Sequence, residues 1–156
     1  MIKLIAVGKT VKQYLKEGEQ EYDKRLDRYT KFEEVILPEL KRASSLSVDE
    51  IKRKEGKLIL EKIDPTDFVI VLDEKGRTLS SIDFAKWIDE KQIYGRSKLV
   101  FIIGGAYGFS SEVYDRAQYK LSLSKMTFSH QMIRMLFKEQ LYRAFTIIKG
   151  EPYHHS

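Results

Sequence analysis

Two segments, Phe68-Val69-Ile70-Val71-Leu72 and Leu99-Val100-Phe101-Ile102-Ile103, are apolar at every position. A half-exposed strand alternates apolar and polar residues, and a surface helix repeats every three to four; these runs do neither. Short, unbroken apolar strands belong to a parallel sheet covered by helices on both faces. Ile2 to Val7 reads as a further buried strand, ended by Gly8, and Phe32 to Leu37 as another, stopped by Pro38.

The segments between them carry helical spacing. Leu15, Tyr22, Leu26 and Tyr29 recur at that spacing within Val11 to Tyr29. Ser47 and Glu50 form a capping-box pair that opens a helix bearing Ile51, Leu58 and Ile59, ended by Asp64-Pro65. A third helix runs from Ser81 to about Ile93, burying Phe84, Trp87 and Ile88. A short one starts at Ser111, and the last spans Gln131 to about Lys149. A final strand passes through Leu121 and Leu123. Glu39 to Ser47 is expected to be a surface loop, and Asp73 to Thr78 a charged turn around Gly76. Strands alternating with helices predict an α/β fold with a mostly parallel sheet. At 156 residues, with no repeat or linker, residues 1–156 are expected to form a single domain.

Composition narrows the chemistry. The absence of cysteine excludes disulfide scaffolds, thiolate zinc sites and thiol nucleophiles. The histidines, His130, His154 and His155, have no metal-ligand spacing, so no metal is expected. No apolar run approaches the length of a membrane span, and the N-terminal run is too brief for a signal peptide, so a cytoplasmic protein without membrane contact is expected. A net charge of +5 suits an anionic partner, although many enzymes are equally basic.

Several motifs invite and fail a first reading. Gly8-Lys9-Thr10 follows a strand, but a P-loop needs a glycine five residues earlier, where Lys3 stands. Gly104-Gly105-Ala106-Tyr107-Gly108 lacks the dinucleotide spacing and follows a late strand. A glycine pair at the carboxyl end of a buried parallel strand still lets a ligand approach the backbone closely, although a tight turn alone would use the same residues. Ser110-Ser111 suits a helix cap better than a nucleophile. Leu121 to His130 passes from strand to helix through hydroxyls, a lysine and two large apolar side chains, a loop suited to clasping a flat ligand. Arg134, Lys138, Arg143 and Lys149 on the last helix would bind phosphate if exposed together; a solvated helix face fits the pattern equally.

In order along the chain stand Lys3-Leu4-Ile5-Ala6-Val7-Gly8, Gly104-Gly105, Leu121-Ser122-Leu123-Ser124-Lys125-Met126-Thr127-Phe128-Ser129-His130, Gln140-Leu141-Tyr142-Arg143-Ala144 and Pro152-Tyr153-His154. Together they closely resemble the RlmH family, SPOUT-class methyltransferases acting on pseudouridine N3 of large-subunit ribosomal RNA. The resemblance covers the whole chain. It implies a C-terminal trefoil knot, S-adenosyl-L-methionine as methyl donor, a homodimer, and a pseudouridine of a 23S rRNA stem-loop, on the assembled ribosome, as acceptor. It also implies a cofactor pocket of Leu72, Gly104, Gly105, Leu123, Ser124, Lys125, Met126, Thr127 and Phe128, with Arg143, Tyr153 and His154 near the acceptor. Ser129 stands where the family commonly has proline, and His155-Ser156 where a basic residue often follows Tyr-His.

Methyl transfer is an in-line displacement that positioning accelerates. The imide nitrogen N3 carries a proton at neutral pH, so a base must remove it or a cation must stabilise the anion. His154 suits the first role and Arg143 the second, while solvent is an alternative acceptor of the proton. A SPOUT enzyme with another RNA target and a non-catalytic RNA-binding module are the competing readings; the second leaves the glycine-pair pocket without a purpose.

Overall fold

A computed structural model describes residues 1–95 and 98–155. Five strands form one fully parallel sheet in the order β2-β1-β4-β3-β5. They are β1 (Ile2–Val7), β2 (Phe32–Leu37), β3 (Phe68–Thr78), β4 (Leu99–Ile103) and β5 (Tyr119–Ser122). The helices are α1 (Gln13–Leu26), α2 (Val48–Leu60), α3 (Ser81–Tyr94), α4 (Ser111–Arg116) and α5 (Met132–Ile148).

The all-apolar strands are central because both of their faces are covered. Pleating sends Ile2, Leu4, Ala6, Ile70, Phe101 and Ile103 into a core shared with α1, α3 and α5. The alternate residues Ile5, Val7, Val69, Val71, Val100 and Ile102 meet α2 and α4 through Ile59 and Val113. Trp87 is partly buried among the rings of Phe68, Phe84, Phe101 and Tyr119. The capping reading of Ser47 holds: its hydroxyl accepts the Glu50 amide at 3.2 Å. Ser110 likewise caps α4 by accepting the Val113 amide at 3.4 Å.

Three local expectations change. Asp73 to Thr78 is only in part a turn: residues 73–76 bulge out between Leu72 and Arg77, which both register with Leu121, and Arg77 and Thr78 then pair with β5 as the end of β3. The charge of this segment reflects a strand running past the sheet's protected centre. Leu123 lies beyond β5, in the loop to α5. Within the expected Glu39–Ser47 loop, Ala43–Ser45 form a 3-10 turn.

The basic set on α5 is not exposed together. Arg134 and Lys138 are 0% and 1% exposed. Arg134 donates to the Val7 and Gly8 carbonyls, each at 2.6 Å, and so plugs the carboxyl end of β1. Burial lowers its pKa, partly offset by Glu19, Glu34 and Glu39. The Lys138 ammonium meets Glu34 at 2.8 Å, Asp23 at 3.0 Å and Glu19 at 3.2 Å. Burial opposes its charge, but these carboxylates prevail and raise its pKa. These two cations therefore lock α5 to α1 and to the β1–β2 side of the sheet instead of facing a ligand.

Candidate functional site

The connection leaving β1 turns toward β2 and that leaving β4 toward β5, so the strand ends diverge between β1 and β4. Ligands of open parallel sheets favour that divergence, but here Arg134 occupies the β1 end. The open space lies one step along, over the carboxyl ends of β4, β3 and β5, as a cleft of about 440 Å³. That volume is within the range of small-molecule sites.

Each wall has a local cause. Leu72, Asp73 and Glu74 come from the overrun of β3, and Gly104 and Gly105 from the exit of β4. Leu123, Ser124, Met126, Thr127 and Phe128 come from the loop before α5. Of the nine residues expected to hold the cofactor, all but Lys125 line the cleft, joined by Asp73 and Glu74; Lys125 shares the loop but is exposed and off the lining.

Short-range hydroxyl bonds set the shape of the loop. Ser122 donates to the Ser124 carbonyl at 2.7 Å, and Ser124 accepts the Met126 amide at 3.0 Å. Thr127 donates to Glu74 at 2.6 Å, tying the loop across the cleft to β3. Ser129, the departure from the commoner proline, accepts the Met132 amide at 3.1 Å and so satisfies an orphan donor at the start of α5.

The lining combines apolar Leu72, Ile103, Leu121, Leu123 and Ile133 with the carboxylates of Asp73 and Glu74. Asp73 accepts the Tyr114 hydroxyl, and burial first, then this bond, pushes the phenol up to about 12. Tyr114 is therefore a fixed donor at neutral pH. Behind Gly105 lies Glu55, whose carboxyl is shifted upward by burial and by the charge of Glu39. The arrangement suits a ligand with a flat apolar body, hydroxyl groups and positive charge.

A second cluster forms on the last turns of α5. Arg143 donates to Glu139 from Nη2 at 2.6 Å and from Nε at 3.1 Å, and its Nη1 lies 3.0 Å from His154 Nδ1. Tyr153 donates to the same Glu139 oxygen at 3.1 Å, with the Arg143 guanidinium 4.7 Å from its ring centre. Gly150, at φ +69°, turns the chain back so that the tail packs on α5. The structure thus brings Arg143, Tyr153 and His154 together, while none of them lines the cleft. Glu139 joins them; its four-residue spacing from Arg143 is the one sequence signal that points to it.

This geometry bears on protons. A guanidinium only donates, so His154 Nδ1 accepts and a neutral His154 carries its hydrogen on Nε2. In this arrangement His154 is an oriented donor with its basic nitrogen already engaged. The Tyr153 phenol is held above its ordinary range by burial first, then by Tyr22 and Glu139, and so also stays protonated. Among the described residues, no group of three acidic or histidine side chains is placed to hold a metal ion.

A parallel sheet with a ligand-sized cleft at its carboxyl edge, closed by a loop into the final helix, suits a group-transfer enzyme. The chain belongs to the SPOUT methyltransferase family: the family model described as "Predicted SPOUT methyltransferase" matches residues 1–154. It is 53% identical over 154 residues to the ribosomal RNA large subunit methyltransferase H of Christiangramia forsetii, covering 99% of this chain and 98% of that protein. The protein of the same name from Flavobacterium johnsoniae is also 53% identical over 154 residues, with the same coverage. That from Bacteroides fragilis is 49% identical over 152 residues, covering 97% of each chain.

Proposed function

We propose that the protein methylates N3 of a pseudouridine in a stem-loop of 23S rRNA on the assembled ribosome, with S-adenosyl-L-methionine as donor. The near full-length similarity to large-subunit rRNA methyltransferases supports the substrate class. The single observation that carries the mechanism is the cleft at the carboxyl ends of β4, β3 and β5. Its residues fit the donor: Leu72, Leu123 and Phe128 offer apolar surface to an adenine ring, and the glycine pair lets backbone approach. Asp73 and Glu74 offer carboxylates to hydroxyl and cationic groups. When bound, the cofactor supplies an electrophilic methyl group.

The chain's own residues position the acceptor and manage charge. Arg143 stabilises the anion that develops on the uracil ring as N3 loses its proton. Glu139 orients Arg143, and Tyr153 offers an aromatic face on which a base can stack. His154 in this geometry donates through Nε2, so it supports the anion, and the N3 proton passes to solvent. This replaces the reading of His154 as the base.

Within one chain the tail cluster lies off the cleft. A homodimer resolves the separation by lending the tail of one subunit to the cleft of the other, and it enlarges the basic surface. Residues 1–156 act as one domain, in the cytoplasm where ribosomes are. Among the described residues, no helix is long and apolar enough to cross a membrane. The test is nucleoside analysis of 23S rRNA from cells lacking the gene: methylated pseudouridine should vanish and return when the gene is restored.

A further inference from the structure

Lys75 and Arg77 of β3 and Lys120 of β5 line a shallow groove at the outer edge of the sheet, with Gly76 between them. Lys75 also lines the cleft, so the groove leads away from its mouth. Among the described residues none of the three cations forms an ion pair with a carboxylate. The acids nearest in sequence are engaged: Asp73 accepts the Tyr114 hydroxyl and the Lys75 amide, and Glu74 accepts the Thr127 hydroxyl. Lys120 Nζ instead lies 4.6 Å from the centre of the Tyr114 ring.

Some cations elsewhere are paired with acids. Lys138 has three carboxylates, Arg143 has Glu139, and Lys98 has Asp64. Three like charges with no carboxylate in ion-pair contact among the described residues line this groove, and an anion bound along them is attracted to all three. The backbone beneath them is closely packed, since a Cβ on Gly76 would fall 2.7 Å from the Lys120 carbonyl. An open groove between two strand ends suits an extended polyanion better than a small one.

We propose that Lys75, Arg77 and Lys120 form a rail for the phosphodiester backbone of the acceptor RNA beside the methylated nucleotide. This inference rests on the reading of the chain as an RNA methyltransferase. Phosphate contacts place a nucleic acid without reading its sequence, which is what a cleft acting on one nucleotide requires of its surroundings.

The test compares Arg77→Gln/Lys120→Gln with the unaltered protein on ribosomes lacking the modification, between 50 and 200 mM salt. Loss of two phosphate contacts should weaken ribosome binding about tenfold and make the log affinity against log salt slope shallower by roughly 1.4–1.8. S-adenosylmethionine affinity and melting temperature should hold, and Arg77→Lys/Lys120→Arg should bind like the unaltered protein. An α2 pair of equal charge change, Arg53→Gln/Lys57→Gln, should lose much less. Unchanged affinity and slope in the rail variant, or an equal loss in the α2 variant, would overturn the rail. Failure of the unaltered protein to methylate ribosomes at all would instead overturn the parent function, and the rail with it.

Discussion

A carbon added at Gly104 would come within 2.9 Å of the Phe109 ring, a buried side chain that cannot swing aside. The glycine thus serves packing beneath the cleft as well as access from above. Gly104→Val should destabilise the fold by about 1–3 kcal/mol, as overpacking does, and abolish S-adenosylmethionine binding in calorimetry. Unchanged affinity would remove Gly104 from the pocket. Sequence reasoning found the glycine pair from its place after an apolar strand, but it could not see Phe109 fold back onto it. The same limit applies to Glu139, whose importance lies in gathering Arg143 and Tyr153 onto one oxygen. A spacing rule names its neighbour on the helix; only the returning tail supplies the third member.

Helix α5 joins the parts of the molecule, and its two halves do different work. The first half is anchored by Arg134 and Lys138, which looked in the sequence like half of a phosphate-binding face. Periodicity could not separate these readings, because a lysine facing three carboxylates and a lysine facing water occupy the same kind of position. Lys138→Met should leave buried Glu19 without its cation, while the more exposed Asp23 and Glu34 turn to water, and cost about 1–3 kcal/mol, measured as a fall in the urea midpoint. An unchanged midpoint would show that the cluster is not an anchor. The second half carries the tail. Deleting Pro152 to Ser156 should leave cofactor affinity largely intact, since Tyr153 and His154 do not line the cleft of their own chain, and reduce methyl transfer by at least tenfold, since the proposal gives them the acceptor. Full turnover by the truncated protein would exclude the tail from the active site.

At the scale of the whole chain, the parallel α/β sheet was legible from the two all-apolar strands and the helices between them. Strand order was not, because apolar runs state burial without naming neighbours, and β3 overran its expected end because the chain bulges at residues 73–76 and then rejoins β5 through Arg77 and Thr78. The trefoil knot implied by SPOUT membership is further still from sequence pattern, since threading leaves no periodic trace. The proposed sharing of tail and cleft between subunits predicts that light scattering at micromolar concentration gives the mass of a dimer; a stable monomer would contradict it. The most direct measurement is transfer of labelled methyl from S-adenosylmethionine, by the purified protein, to ribosomes lacking the modification, followed by mass spectrometry of the 23S rRNA nucleosides. The account predicts label in a single N3-methylated pseudouridine. Label in another nucleoside, or none in the rRNA, would contradict it.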